Sequence, residues 1–259
     1  MTTFDIALLG SGWLGLPLVR HFKLKDLQVA ASTRQLNRFP EIEAAGAIPF
    51  LIDIDNRNDR ATFFNCRVLI VNITSKNIIS FQYLISQIED GILENVLLVS
   101  SSSVYQNLQR EVSEDEAAEN PDSVLFQIEQ LFRGNPNFQT TILRCSGLID
   151  GRRHPGRFFR HGKKLPQPNA PVNLVHLDDV IGIIDAIIAQ QAWGEVFNAS
   201  ADTHPSKREF YCYARKLLGL PAPDCADDNY SNFKIVSNNK VKQQLGYRFS
   251  HPDLMQIQF

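Results

Sequence analysis

Short apolar runs alternate with amphipathic stretches through the first half of the chain. Residues 4–9 (FDIALL), 28–33 (QVAAST), 48–52 (IPFLI), 67–73 (RVLIVNI), 96–100 (VLLVS) and 140–145 (TTILRC) are short and nearly continuous in apolar side chains. That pattern predicts parallel strands covered on both faces. Helical periodicity recurs between them, most clearly at Phe81, Leu84, Ile85 and Ile88, with Gly91 placed to stop the helix. Six such alternations predict an α/β fold, a Rossmann-type doubly wound parallel sheet.

After residue 150 the texture changes. A Gly, Pro and Arg-rich stretch runs to about residue 171, followed by the strand-like VNLVHL and a helix from Asp178 to about Gln190. Another helix begins at Ser206, where "SKRE" places Glu209 three residues on, as in a capping box. No internal repeat is seen, and the last 40 residues are polar and irregular. The expected organisation is a dinucleotide-binding core over residues 1–150 and a small C-terminal substrate lobe over residues 151–259, interleaved with that core.

The 259 residues are 44% hydrophobic and 21% charged, with a formal net charge of −2. These values suit a globular protein and give no global attraction to nucleic acid or anionic membrane. Cys66, Cys145, Cys212 and Cys225 are widely spaced and contain no Cys-x-x-Cys pair, so neither a disulfide framework nor a zinc site is expected. The apolar start at Ile6–Val19 lacks a basic leader and is broken by glycines and Pro17. A cytoplasmic protein is expected, with no metal and no membrane span.

"ALLGSGWLG" carries the chemistry of the first half. Gly10, Gly12 and Gly15 form a G-x-G-x-x-G pattern directly after the first strand and at the start of a helix. Gly10 permits the tight turn, Gly12 lets the backbone approach a pyrophosphate, and Gly15 lets helix and strand pack closely. Gly10, Ser11, Gly12, Trp13, Leu14 and Gly15 are thus the expected cofactor loop. The second strand ends in "ASTRQLNR", without the acidic residue that would hold the ribose 2′-hydroxyl of NAD. Ser32 and Thr33 can hydrogen-bond, and Arg34 and Arg38 can neutralise a 2′-phosphate, which favours NADP(H) over NAD(H). Solvated surface arginines would look the same in sequence. Asp53 is placed either to approach the adenine edge or to close a turn, and Ile73 and Thr74 would line the cofactor trench.

"GSGWLG", "SSSSVY", "LRCSGLIDG", "VNLVHLDDV" and "EVFNAS" follow one another in an order and spacing that resembles the extended and atypical short-chain dehydrogenase/reductases, the NAD(P)-dependent epimerase/dehydratase superfamily. The resemblance covers most of residues 4–200. It implies that Ser101, four residues before the Val-Tyr tyrosine Tyr105, polarises a substrate carbonyl or hydroxyl, with Ser100 beside it on the cofactor side. It also implies that Cys145 and Leu148 pass the nicotinamide carboxamide and that Tyr105 is structural. The family's proton donor belongs to a Tyr-x-x-x-Lys pair on the next helix, where the lysine lowers the tyrosine pKa. That helix reads "NPDSVLFQIEQLF", which places Leu125 and Glu129, or Pro121 and Leu125, at those positions. The chain's one Tyr-x-x-x-Lys, Tyr230 to Lys234, reads as coincidence. His154, His161 or a bound water could then replace the tyrosine.

His176, Asp178 and Asp179 superficially suggest a metal or acid/base cluster, but the resemblance implies that this motif orients and caps a helix. The loop at 151–164 carries Arg152, Arg153, Arg157, Arg160, Lys163 and Lys164; it is either a solvated basic loop or, as the resemblance implies, a segment over the substrate cleft that attracts an anion. The expected function is an NADP(H)-binding, epimerase-like oxidoreductase of a small, anionic metabolite. The alternative is a nucleotide-responsive binding protein that has lost chemistry. A small-molecule substrate is the expected partner, a homodimer stays open, and nucleic acid is not expected.

Overall fold

The computed structural model describes residues 3–56, 62–159, 163–227 and 232–259. In chain order the elements are β1 (Phe4–Leu9), α1 (Gly15–Lys23), β2 (Val29–Thr33), α2 (Phe39–Ala45), β3 (Ile48–Leu51), β4 (Cys66–Val71), α3 (Ile78–Ile88) and β5 (Asn95–Ser101). There follow β6 (Glu111–Val112), α4 (Val124–Arg133), β7 (Gln139–Cys145), β8 (Gly147–Ile149), β9 (Leu174–His176) and α5 (Leu177–Ala189). The chain ends with β10 (Val196–Ala199), α6 (Lys207–Leu217), β11 (Ile235–Val236) and α7 (Asn239–Leu245).

Seven strands form one parallel sheet in the order β10, β7, β5, β4, β1, β2, β3. The chain runs outward from β1 through β2 to β3, then returns to the other side of β1 as β4, which pairs with β1 from Phe4↔Cys66 to Leu9↔Val71. The carboxyl ends of β1 and β4 therefore flank a topological switch point, where open α/β sheets form their ligand crevice. Six of the seven strands were legible as apolar runs. The seventh, β10, is only VFNA and contains the buried polar Asn198, so no apolar run announces it.

The chain divides into two compact units of three segments each. The first comprises residues 1–100, 121–143 and 187–196. Its core is apolar and rich in rings: Phe50 meets Phe4 and Phe63 at centroid distances of 5.9 and 5.3 Å, and Phe81 of α3 meets Phe132 of α4 at 5.9 Å. Such edge-to-face pairs contribute about 0.5–1.5 kcal/mol each beyond the area they bury.

The second unit comprises residues 101–120, 144–186 and 197–259. Its apolar cluster is smaller, with Ile149, Val172, Leu174, Phe210, Leu254 and Ile257 at its centre. The expected capping box is formed: the Ser206 hydroxyl accepts from the Glu209 N–H, and the Glu209 carboxylate accepts from the Ser206 N–H. Among its described residues the polar C-terminal stretch holds one helix, α7, anchored by buried Val241 and Leu245 and ended by Gly246 at φ +60°. Two apolar anchors in seven residues give too weak a period to read beforehand.

Candidate functional site

An open trench of about 520 Å3 lies in the first unit, lined by the turn after β1, the end of β2 and the loops after β3 and β4. Gly10, Ser11, Gly12, Thr33, Arg34, Arg38, Asp53, Ile73 and Thr74, all named from the sequence as cofactor candidates, line it. Its size suits a small organic ligand. Trp13, Leu14 and Gly15 do not line it; they carry the chain into α1. The lining does not include Ser100, Cys145 or Leu148 either.

The three glycines do different work. Gly10 sits at φ +106°, and a Cβ there would stand 2.3 Å from the Asn72 carbonyl oxygen. A Cβ on Gly15 would stand 2.2 Å from the Gly10 carbonyl oxygen, so α1 packs against the turn only with glycine there. Nothing lies within 4 Å of a Cβ built on Gly12. The first two glycines serve the fold, while the third keeps open space.

Side chains brace this turn. The Gly10 N–H donates to Ser32 Oγ at 2.9 Å, Asn72 Nδ2 donates to the Gly10 carbonyl at 3.1 Å, and Arg38 Nη2 donates to the Ser11 carbonyl at 3.0 Å. Ser32, expected to serve the ligand, therefore first serves the turn. Asn72 was missed because it follows β4 as one polar residue in an apolar run; the carbonyl it holds belongs to residue 10.

The trench fits a dinucleotide on three observations. Gly12 leaves a cradle that any side chain would fill. The Ser11 hydroxyl is buried and, among the described residues, has no hydrogen-bond partner. The residue before α1 supplies no side-chain cap, and no acid occupies the first turn, so the helix N-terminus is left for an anion. Arg34 is exposed at the end of β2. Arg38 pairs with Glu41 at 2.9 Å. Asp53 accepts from the Asp55 N–H at 3.1 Å, as a turn aspartate does, while remaining in the lining.

A separate open pocket of about 520 Å3 lies in the second unit. Ser101 lines it together with Ser103, Asn107, Lys207, Tyr211 and Lys234. Ser101 Oγ accepts from the Ser103 N–H at 3.1 Å, which leaves its own proton to donate. Lys207 and Tyr211 stand one helical turn apart on α6. Burial pushes the Tyr211 phenol up to about 12, so it carries its proton at neutral pH. Lys234 donates to the Tyr105 carbonyl at 2.6 Å, and burial lowers its pKa from the ordinary lysine value. Sequence reading set Lys234 aside as half of a chance Tyr-x-x-x-Lys, whose Tyr230 lies outside the described residues. Its pocket partners Ser101, Ser103 and Asn107 lie over 120 residues away, at a separation no local spacing rule covers.

Tyr105 is structural, as the resemblance implied. Its hydroxyl donates to Asn198 Oδ1 at 2.9 Å and accepts from Arg144 Nη1 at 2.8 Å, and burial raises its pKa well above the ordinary tyrosine value. Arg144, 1% exposed, also pairs with Glu119 at 2.5 Å. In the first unit, α4 bears neither Tyr nor Lys. Its fully buried Glu129 accepts a hydrogen bond from Ser100, so the Ser100 hydroxyl is turned to a carboxylate of its own unit.

The remaining candidates separate further. His154 is buried, accepts from the Gly156 N–H at 3.1 Å and packs on Phe259 at 4.4 Å, so it holds a turn. His161 and Arg160 lie outside the described residues. None of Arg152, Arg153, Arg157, Lys163 and Lys164 lines the pocket beside Ser101, whose cations are Lys207 and Lys234. Asp179 is fully buried and accepts from Tyr247 Oη, the Ser250 N–H and the His251 N–H, so it holds a distant segment against the start of α5, where the resemblance implied a helix cap. His176 and Asp178 stand beside His251. Burial and the neighbouring His251 hold the His176 pKa below the ordinary histidine value.

No family model matches the chain. It is 28% identical over 265 residues to Protein YeeZ of Escherichia coli K12, covering 96% of each chain. A structure from Methylobacillus flagellatus, provisionally assigned as an NAD-dependent epimerase/dehydratase, superposes with a TM-score of 0.79 at 22% identity, covering 97% of this chain and 95% of that one. UDP-glucuronic acid 4-epimerase from Bacillus cereus, solved with UDP-glucuronic acid and NAD, superposes with a TM-score of 0.78 at 18% identity over 95% and 94% of the two chains. Among the described residues, no helix is long and apolar enough to cross a membrane. The chain has the fold of the NAD-dependent epimerase/dehydratase proteins, the group its sequence motifs resemble.

Proposed function

We propose that this chain is an NADP(H)-dependent, epimerase-like oxidoreductase of a small anionic metabolite. The observation that carries this reading is the trench in the first unit, where an unfilled glycine cradle, an orphaned buried hydroxyl and two arginines line one cleft. Gly12 and the first turn of α1 would hold the pyrophosphate, and Arg34 and Arg38 the 2′-phosphate. A bound nicotinamide would supply or accept a hydride. The chain's own residues have the rest to do. Ser101, with its hydroxyl proton free to point into the pocket, donates to the substrate oxygen as charge develops there. Tyr211, protonated at neutral pH, is a second donor, and Lys207 and Lys234 attract the substrate's anionic group. The nucleotide sugar bound by the Bacillus cereus epimerase is an example of such a substrate class.

A second reading rests on α4. With Leu125 and Glu129, or Pro121 and Leu125, at the positions where the family keeps Tyr and Lys, the chain could bind nucleotide and signal its redox state without turning over a substrate. One set of measurements separates the two. NADPH should raise the melting temperature more than NADH, and Arg34→Ala should remove the difference. Single-turnover hydride transfer to a panel of acidic sugar nucleotides should then fall in Ser101→Ala with NADPH affinity unchanged. Ser103→Ala should have the smaller effect. Equal thermal shifts with both nucleotides would overturn the NADP(H) preference, and no transfer across the panel would favour the nucleotide-responsive protein.

A further inference from the structure

His176 ends β9, Asp178 lies in the first turn of α5, and His251 comes from the C-terminal stretch. The fold, and not a local motif, brings the three together. Asp179 accepts from the backbone N–H groups of Ser250 and His251 at 2.6 and 3.1 Å and from Tyr247 Oη at 3.1 Å, so the segment carrying His251 is clamped to the start of α5. The two imidazole rings are 3.9 Å apart, centroid to centroid, and tilted by 44°.

We propose that His176, Asp178 and His251 form a binding site for a zinc-class transition-metal cation. The site shares no residue with the lining of the trench or the pocket and does not depend on the function proposed above. His176 Nδ1 is 3.4 Å and His251 Nε2 is 3.5 Å from the same Asp178 oxygen, Oδ2, and the three ligand atoms lie within 4.8 Å of one another. A tetrahedral cation with bonds of about 2.0–2.1 Å holds its ligand atoms about 3.3 Å apart. The two measured separations are close to that edge. They are too long for hydrogen bonds that would satisfy the carboxylate by themselves.

The donor set selects the cation. Two imidazole nitrogens and one carboxylate oxygen suit Zn2+ and its first-row neighbours, whereas Ca2+ and Mg2+ call for an all-oxygen shell. Three protein ligands leave a fourth position for water. The Asp178 side chain is 65% exposed, so the cation has an open route in, while the His176 side chain is 11% exposed and already placed. Asp150 and Asp179 add negative charge around His176. One contact must give way: the Asp178 N–H donates to His176 Nδ1 at 3.3 Å, a long bond that the metal would replace. Bound there, the cation would staple the C-terminal stretch to α5.

The test uses metal-free, tag-free full-length protein titrated with Zn2+ by calorimetry and with Co2+ by visible absorption. One equivalent of Zn2+ should bind and raise the melting temperature, and Co2+ should give the intense visible bands of a tetrahedral site. Removing even an outer partner of a metal ligand typically costs 10–100-fold in affinity, so Asp178→Asn and His251→Gln should each weaken Zn2+ binding by at least about tenfold. Asp178→Asn alters an exposed side chain, so it keeps the test valid even if His251→Gln loosens the C-terminal stretch. Absent Zn2+ binding, Zn2+ affinity unchanged in Asp178→Asn, or weak octahedral cobalt bands would each overturn the proposal.

Discussion

The trench of the first unit and the pocket of the second are both open clefts of about 520 Å3, yet they are built from different materials. The trench is lined by the turn after β1, the end of β2 and the loops after β3 and β4, and its glycine turn is braced by Ser32, Asn72 and Arg38. Side chains from residues 101 to 234 make the pocket, standing on a unit whose interior is held by buried polar groups. A turn set by backbone conformation tolerates substitution wherever the space around it is open, as at Gly12. Where buried ions hold the structure, loss of one partner strands another in low dielectric.

The largest expected effect tests the second unit's side of that contrast. Arg144→Met keeps much of the side chain's volume but removes the partner of Glu119, whose side chain is 9% exposed, and of Tyr105 Oη. Breaking a buried pair from one side costs about 3–5 kcal/mol, and urea unfolding should show a loss of that size. A loss below about 1 kcal/mol would mean that water reaches Glu119 and that the network is less dry than its burial indicates.

Glycine supplies the next effect, in the first unit. Gly10→Ala puts a side chain at φ +106° against the Asn72 carbonyl and should cost about 2 kcal/mol or more in stability. Gly12→Val meets open space, so unfolding should shift by no more than about 0.5 kcal/mol. NADPH affinity in Gly12→Val should nevertheless fall at least about tenfold, because the side chain enters the pyrophosphate path. Fluorescence titration checks the second quantity and urea unfolding the first. Retained affinity in Gly12→Val would take that glycine out of the site.

The same contrast explains what could be read in advance. A parallel sheet buried on both faces writes itself as apolar runs, and a turn that needs positive φ at Gly10, close packing at Gly15 and open space at Gly12 writes itself as spaced glycines, so β1 to β5, β7 and the three glycines were legible. β10 was not, because four residues with a buried asparagine carry no period. The pocket was legible at one position only, Ser101, and through resemblance. Lys207 and Tyr211 look like the half-buried flank of an ordinary amphipathic helix, and Lys234 lies in an irregular stretch. Their meeting depends on the path of the chain after residue 200. The basic loop at 151–164, the feature that sequence offered for an anion, lines neither cleft over its described residues.

The smallest effect concerns charge at the trench. Arg38 donates through Nη2 to both the Ser11 carbonyl and Glu41, and the Glu41 side chain is 49% exposed. Exposed pairs of this kind contribute about 0.2–1 kcal/mol, so Glu41 restrains Arg38 weakly. A 2′-phosphate offered to Arg38 must compete with that carboxylate, whereas a 2′-hydroxyl gains little from displacing it. Glu41→Gln should therefore tighten NADPH by roughly two- to fivefold and leave NADH nearly unchanged. Raising the salt concentration should shrink the difference, because both charges are exposed to screening. The Ser11 contact keeps Arg38 against the turn in the variant, so loss of the ion pair does not release the side chain altogether. Titration of both nucleotides at low and high salt reads the effect, and an equal gain for NADH and NADPH would mean that Arg38 does not face the 2′-position.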